Sequence, residues 1–127
     1  MSVMAQTILA VVDDLLFLSK IQQTAKLLGI TVEATAPGKL AERAEQVSVR
    51  AVIVDLNHRS GSALDLLRAI KADAKIGPAQ VIGFLSHVQT DLAAAARGAG
   101  CDVVLARSAF SQRLPELLRE LADGAEP

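Results

Sequence analysis

The chain has 127 residues, 51% of them apolar, with 13 Lys and Arg set against 14 Asp and Glu. A net charge of −1 with the basic residues scattered leaves no electrostatic footprint for nucleic acid, and the apolar run near the start stops at Asp13, far short of a bilayer crossing. The one cysteine, Cys101, excludes an internal disulfide, suits a reducing cytoplasm and is expected to be structural, with an exposed position left open.

Residues 1–127 are expected to form a single domain that buries about two thirds of the surface its unfolded chain would expose. Its core should run from about 7 to 122, with loose ends at 1–6 and 124–127. Met1 to Gln6 carries no basic residue and is expected to be neither a signal peptide nor an anchor. Phe17, Phe84 and Phe110 are the only aromatics. The core therefore falls to Ala, Val, Leu and Ile, which suits helices packed closely on a parallel sheet.

In chain order, Ile8 to Val12 is the first strand-like run, and it ends on Asp13 and Asp14. Leu18, Ile21, Ala25 and Leu28 then share one helical face, which Gly29 stops. Thr31 to Thr35 alternates polar with apolar, as a half-exposed edge strand does. Pro37-Gly38 opens a short helix with Leu40, Ala44 and Val47 inward. Ala51 to Val54 is the next buried run and ends on Asp55. Ser62 and Asp65 have capping-box spacing, and Leu67, Ile70 and Ala74 continue an inner stripe from there. After the strand Val81 to Leu85, Thr90 is placed to cap an Ala-rich helix over Leu92 to Arg97 that Gly98-Ala99-Gly100 ends. Val103 to Ala106 is the fifth run. Leu114, Leu117, Leu118 and Leu121 mark a last helix that begins near Ser111 to Leu114, with Pro115 tolerable only in its first turn. Five βα units in succession predict an α/β domain on a parallel sheet.

If the runs before Asp13 and Asp55 are adjacent parallel strands, Asp13, Asp14 and Asp55 meet at the carboxyl edge of the sheet, where open α/β folds place their ligands. Three carboxylates so close repel one another unless a divalent cation relieves them, so the trio reads as a magnesium-type site. The competing use of Asp13 and Asp14 is a solvated turn and helix cap. His58 and His87 fall in loops on the same face, but no Cys or His pair has the spacing of zinc ligands.

The segments VVDD (Val11 to Asp14), VIVDLN (Val52 to Asn57), LDLLRAIKAD (Leu64 to Asp73) and AAAARGAGCDVVLARSAF (Ala93 to Phe110), in this order and spacing, resemble the receiver domains of two-component response regulators from Thr7 to about Ala122. The resemblance implies a flavodoxin-like, doubly wound, five-stranded parallel sheet of order 2-1-3-4-5 with helices on both faces. It implies Asp55 as the acceptor of a phosphoryl group from a histidine kinase or phosphotransfer protein. It also implies Mg²⁺ held by Asp14 directly, by Asp13 at greater distance, by Asp55 and by the Asn57 backbone carbonyl. No activity is expected beyond Mg-dependent self-phosphorylation and dephosphorylation. The location implied is cytoplasmic, and output would pass through an unidentified downstream protein, with no nucleic acid or membrane as partner.

The chain departs from that pattern at several places. Where the family carries a lysine, usually followed by proline, this chain has Arg107-Ser108; arginine keeps the charge but brings a planar fork, which either clamps phosphate or pairs with Asp55. The family's Ser/Thr after strand four maps onto Ser86 if the apolar-then-hydroxyl pattern is aligned, or onto Leu85 if no gap is allowed. Strand alternation lets only one of the two face Asp55, and Ser86 is preferred. Val104 stands where an aromatic is common, and Arg59 adds a cation that competes with metal for the acids. Two functions follow: a stand-alone receiver phosphorylated on Asp55, or a pseudo-receiver that is never phosphorylated and binds protein constitutively. A flavodoxin-like nucleotide binder is disfavoured, because Asp-Asp-Leu-Leu after the first strand lacks the glycines that cradle phosphate or flavin.

Overall fold

A computed structural model describes residues 6–59, 62–86 and 89–124. Five strands form one parallel sheet in the order β2-β1-β3-β4-β5. They are β1 (Gln6–Val11), β2 (Val32–Ala34), β3 (Ser48–Asp55), β4 (Gln80–Leu85) and β5 (Val103–Ala106). The connecting helices are α1 (Leu15–Leu27), α2 (Leu40–Ala44, entered by a 3₁₀ turn over Pro37–Lys39), α3 (Ala63–Ala72), α4 (Thr90–Gly98), α5 (Arg107–Gln112) and α6 (Leu114–Asp123).

Strand alternation sorts the apolar side chains into two cores, one on each face of the sheet. Ile8, Ala10, Ala51, Ile53, Ile82 and Phe84 pack with α1, α5 and α6 through Leu18, Ile21, Phe110, Leu114, Leu117 and Leu121. Leu9, Val11, Val52, Val54, Val81 and Leu85 turn the other way, onto α2, α3 and α4 through Leu40, Leu67, Ile70 and Ala96. The central strands are apolar on both faces because helices cover both, as the buried runs in the sequence predict. The edge strand β2 is short and only half-buried.

Several local expectations are met. Gly29 adopts φ 72° just past the end of α1, a conformation that favours glycine. Ser62 caps α3 by accepting from the Asp65 amide at 3.3 Å. Pro115 lies in the first turn of α6.

Others need correction. Ala74 does not extend the α3 stripe: the Asp73 side chain accepts from the amides of Lys75 and Ile76 at 2.8 and 3.1 Å, which ends the helix, and Ile76 enters the core instead. Thr90 is a helical residue; Gln89 holds the cap position and makes no side-chain cap bond. The last helix, α6, begins at Leu114 as the leucine spacing predicts, but that spacing does not show the separate α5, which begins at Arg107 directly after β5 and ends before Arg113. Pro115 cannot donate to the Ser111 carbonyl, so one continuous helix is not available to this sequence. Of the ends expected to be loose, Gln6 opens β1 and Gly124, at φ 76°, closes α6; 1–5 and 125–127 lie outside the described residues, as do 60–61 and the expected loop position His87.

Cys101 is buried between α4 and β5, and its thiol contacts the Val103 carbonyl at 3.2 Å. Burial pushes the thiol up to about 11. Because the thiolate is the reactive form, native Cys101 is expected to react with a maleimide at pH 8 ~100-fold more slowly than in urea; equal rates would show that this side of the sheet opens freely.

Candidate functional site

The carboxyl ends of β1, β3, β4 and β5 surround a cleft of about 530 Å³. Asp13, Asp14, Asp55, Asn57, Ser86 and Arg107, all singled out from the sequence, line it together with Arg59, Leu15, Leu16 and Phe84. Asp55 ends β3 in register with Phe84 on β4. It follows Ala51 and Ile53 on the sheet face that carries α1 and α6, and the same two-residue period leads from Ile82 and Phe84 to Ser86 and from Val103 and Leu105 to Arg107. Leu85 points to the opposite core and stays buried there. Ser86, not Leu85, therefore shares the cleft with Asp55.

Asp55 is 6% exposed and is the only buried acid among the described residues. One carboxylate oxygen accepts from the Asn57 amide at 2.9 Å and the other from the Asp13 amide at 3.3 Å. These two bonds hold the carboxyl at the cleft floor, and a carboxylate has lone pairs to spare beyond them. The Asn57 side chain ties the surrounding loops together, accepting from the Ser86 amide at 2.8 Å and donating to Gln89 at 2.9 Å.

The two loop acids are used differently. Asp14 caps α1: one oxygen accepts from the amides of Leu16 and Phe17 at 2.9 and 3.1 Å, and the other pairs with the Arg107 guanidinium. The Phe17 amide, with Arg107, holds the Asp14 carboxyl below the ordinary carboxylate range. Asp13 pairs with Arg59 at 2.6 Å, which lowers its carboxyl likewise and raises the arginine.

Arg107 lines the cleft but does not form the expected pair with Asp55. It pairs with Asp14 rather than with Asp55, and its guanidinium lies over the Phe17 ring, 4.4 Å from the centroid, with Phe84 5.9 Å away. Phe17, Phe84 and Phe110 form one aromatic cluster, their centroids 4.9 to 5.8 Å apart. The role of Phe17 was not legible from its position in α1, where it reads as one more apolar residue of a helix.

Among the described residues no group of three or more His, Cys, Asp or Glu side chains is arranged to hold a metal ion. Arginines occupy one oxygen of each loop acid. The Arg59 side chain is 86% exposed, and an ion pair so open is weak and readily exchanged. Asp55 and Asp13, with Asn57 beside them, thus fit a dication once Arg59 has turned away. Asp14 borders the same cleft, where an approaching dication would compete with Arg107 for its outer oxygen.

Replacing Asp14 tests the cap. Asp14→Ala is expected to lower the melting temperature in metal-free buffer more than Asp14→Asn, since Asn still accepts from helix amides; equal losses would show that the charge alone matters. Both loop carboxyls are depressed, so the stability they add is complete at neutral pH and fades as pH falls through their folded-state values, below the ordinary range. NMR titration midpoints at or above the ordinary value would contradict these pairings.

No protein-family model matches the sequence, and no curated protein matches it. Solved structures match its fold closely. A CheY-like response regulator receiver domain protein from Methanospirillum hungatei is 20% identical, covering 96% of this chain and 95% of its own, with a TM-score of 0.79. The phosphorylated cyanobacterial phytochrome response regulator RcpA is 15% identical over 98% of both chains, also at 0.79. A response regulator protein from Burkholderia pseudomallei, solved with a phosphorylated aspartic acid, a calcium ion and citrate, is 19% identical over 94% of this chain and 69% of its own, at 0.75. Sheet order, helix placement and these likenesses agree: the chain has the CheY-like receiver fold of the response regulators.

Proposed function

We propose that this chain is a cytoplasmic receiver in two-component signalling, taking a phosphoryl group on Asp55 from a histidine kinase or phosphotransfer protein and acting through protein contacts. The observation that carries the reading is a lone buried carboxylate on the cleft floor, with Ser86 and Arg107 on the same face of the sheet. Such an acid is accessible only to a reactant that enters the cleft. An Asp55 carboxylate oxygen attacks phosphorus; the new O–P bond forms as the donor's P–N bond breaks, and the leaving imidazole keeps the bonding pair and takes up a proton. Cations must offset the charge of two anions brought together, and the cleft that holds Asp55 also carries the Ser86 hydroxyl and the Arg107 guanidinium. Mg²⁺ bound there would supply the rest of that neutralisation, and Asp55, Asp14, Asp13 and the Asn57 carbonyl are the groups that would hold it. The phosphorylated aspartic acid and calcium ion in the Burkholderia pseudomallei structure support this chemistry for the fold.

The pairing of Asp13 with Arg59 and Asp14 with Arg107 favours a second reading, a pseudo-receiver whose charges are already balanced internally and which binds its partner without phosphorylation. Beryllofluoride with Mg²⁺, followed through backbone amide shifts, separates the two. Shifts around Asp55 that vanish in Asp55→Asn support the phosphoacceptor; an unchanged wild-type spectrum supports the pseudo-receiver. Among the described residues no helix is long and apolar enough to cross a bilayer.

A further inference from the structure

We infer that Phe17 is a positioning residue for phosphoryl recognition: its ring is the shelf that holds the Arg107 guanidinium flat at the cleft edge, within reach of an oxyanion bound to Asp55. The inference rests on the phosphoacceptor reading and adds to it a residue in α1 that no motif marks.

Three observations on different elements converge. The guanidinium lies 4.4 Å from the Phe17 centroid, a separation at which a cation is attracted to a ring face. Asp14, three residues earlier in the chain, grips the same guanidinium while its other oxygen caps the helix that carries Phe17. Phe17 is itself fixed from behind by Phe84 and Phe110, so the shelf is anchored to β4 and α5. Arg107 is only 31% exposed as a result.

The shelf accounts for arginine at this position. A lysine ammonium on a flexible stem has no plane to lay on a ring, whereas a guanidinium stacked on one face keeps its edge N–H groups directed sideways, toward Asp14 now and toward a phosphoryl group when one is present. Stacking also lowers the number of orientations the fork must give up on binding an anion.

The test uses three single variants of the full chain, Phe17→Tyr, which keeps the ring, Phe17→Leu, which keeps apolar bulk without it, and Arg107→Ala, together with the double variant that joins the last two. The Arg107 Nε–H proton is expected to resonate upfield through the ring current in wild type and Phe17→Tyr, and to return to the position of a free arginine in Phe17→Leu. Beryllofluoride affinity with Mg²⁺ should fall on the order of tenfold in Phe17→Leu, stay near wild type in Phe17→Tyr, and show no further loss when Phe17→Leu is added to Arg107→Ala. If Phe17→Leu binds beryllofluoride as wild type does, or if Phe17→Tyr loses as much as Phe17→Leu, or if the Arg107 proton ignores the ring, the positioning role is overturned. A wild-type chain that ignores beryllofluoride while its Arg107 proton remains upfield overturns the phosphoacceptor reading, and the role assigned to Phe17 falls with it.

Discussion

Asp55→Asn is expected to reduce phosphoryl incorporation from a small phosphodonor to background while leaving the chain folded. The amide nitrogen that replaces one carboxylate oxygen is no nucleophile, and no other acid is buried among the described residues to take over. The substitution is nearly isosteric, but one of the two backbone amides that now donate to Asp55, from Asn57 or Asp13, would face an NH₂ group. A donor left without an acceptor in so buried a place costs ~1–3 kcal/mol. Stability should therefore drop modestly, and a melting curve run beside the phosphorylation assay distinguishes lost chemistry from lost fold. Incorporation that persists in Asp55→Asn would move the acceptor elsewhere and remove the central claim about the cleft.

Phe110→Ala should be the most destabilising single change in the aromatic cluster. Phe110 is fully buried, with ring centroids 5.1 Å from Phe84 and 5.8 Å from Phe17. Truncating a buried Phe costs about 3–5 kcal/mol, a large part of the ~5–15 kcal/mol by which small domains are stable. The urea midpoint should fall sharply at unchanged slope, and a loss under ~1 kcal/mol would mean that α5 collapses into the gap. Because Phe110 backs Phe17, the same variant should weaken the Arg107 stack, linking core packing to the cleft.

Much of the fold was legible because hydrophobic burial is periodic and local. The runs at Ile8, Ala51, Val81 and Val103 and the stripes of α1 and α6 show their faces within ten or so residues. Where a polar side chain competes with that periodicity, the sequence pattern misleads. Asp73 ends α3 just short of Ala74; α5, with only Phe110 buried, shows no apolar stripe to mark it, whereas α6 begins at Leu114 as the leucine spacing predicts. The choice between Ser86 and Leu85 turned on strand parity, which is readable once the strand limits are known and ambiguous by one residue until then.

The sequence by itself determined the alternation of strands and helices, the apolar faces, and the presence of acids at the ends of the first and third strands. Only the tertiary structure decided what each acid does. Arg107 reaches Asp14 across 93 positions, and Arg59 reaches Asp13 across 46. Charge pairs and ring stacks act over a few ångströms and depend on where strand ends come to lie, whereas burial of a stripe depends only on there being an apolar surface opposite it. The same Asp-Asp dipeptide is compatible with two metal ligands and with one helix cap and two arginine partners, and the cap and the arginine pairs are what this structure displays.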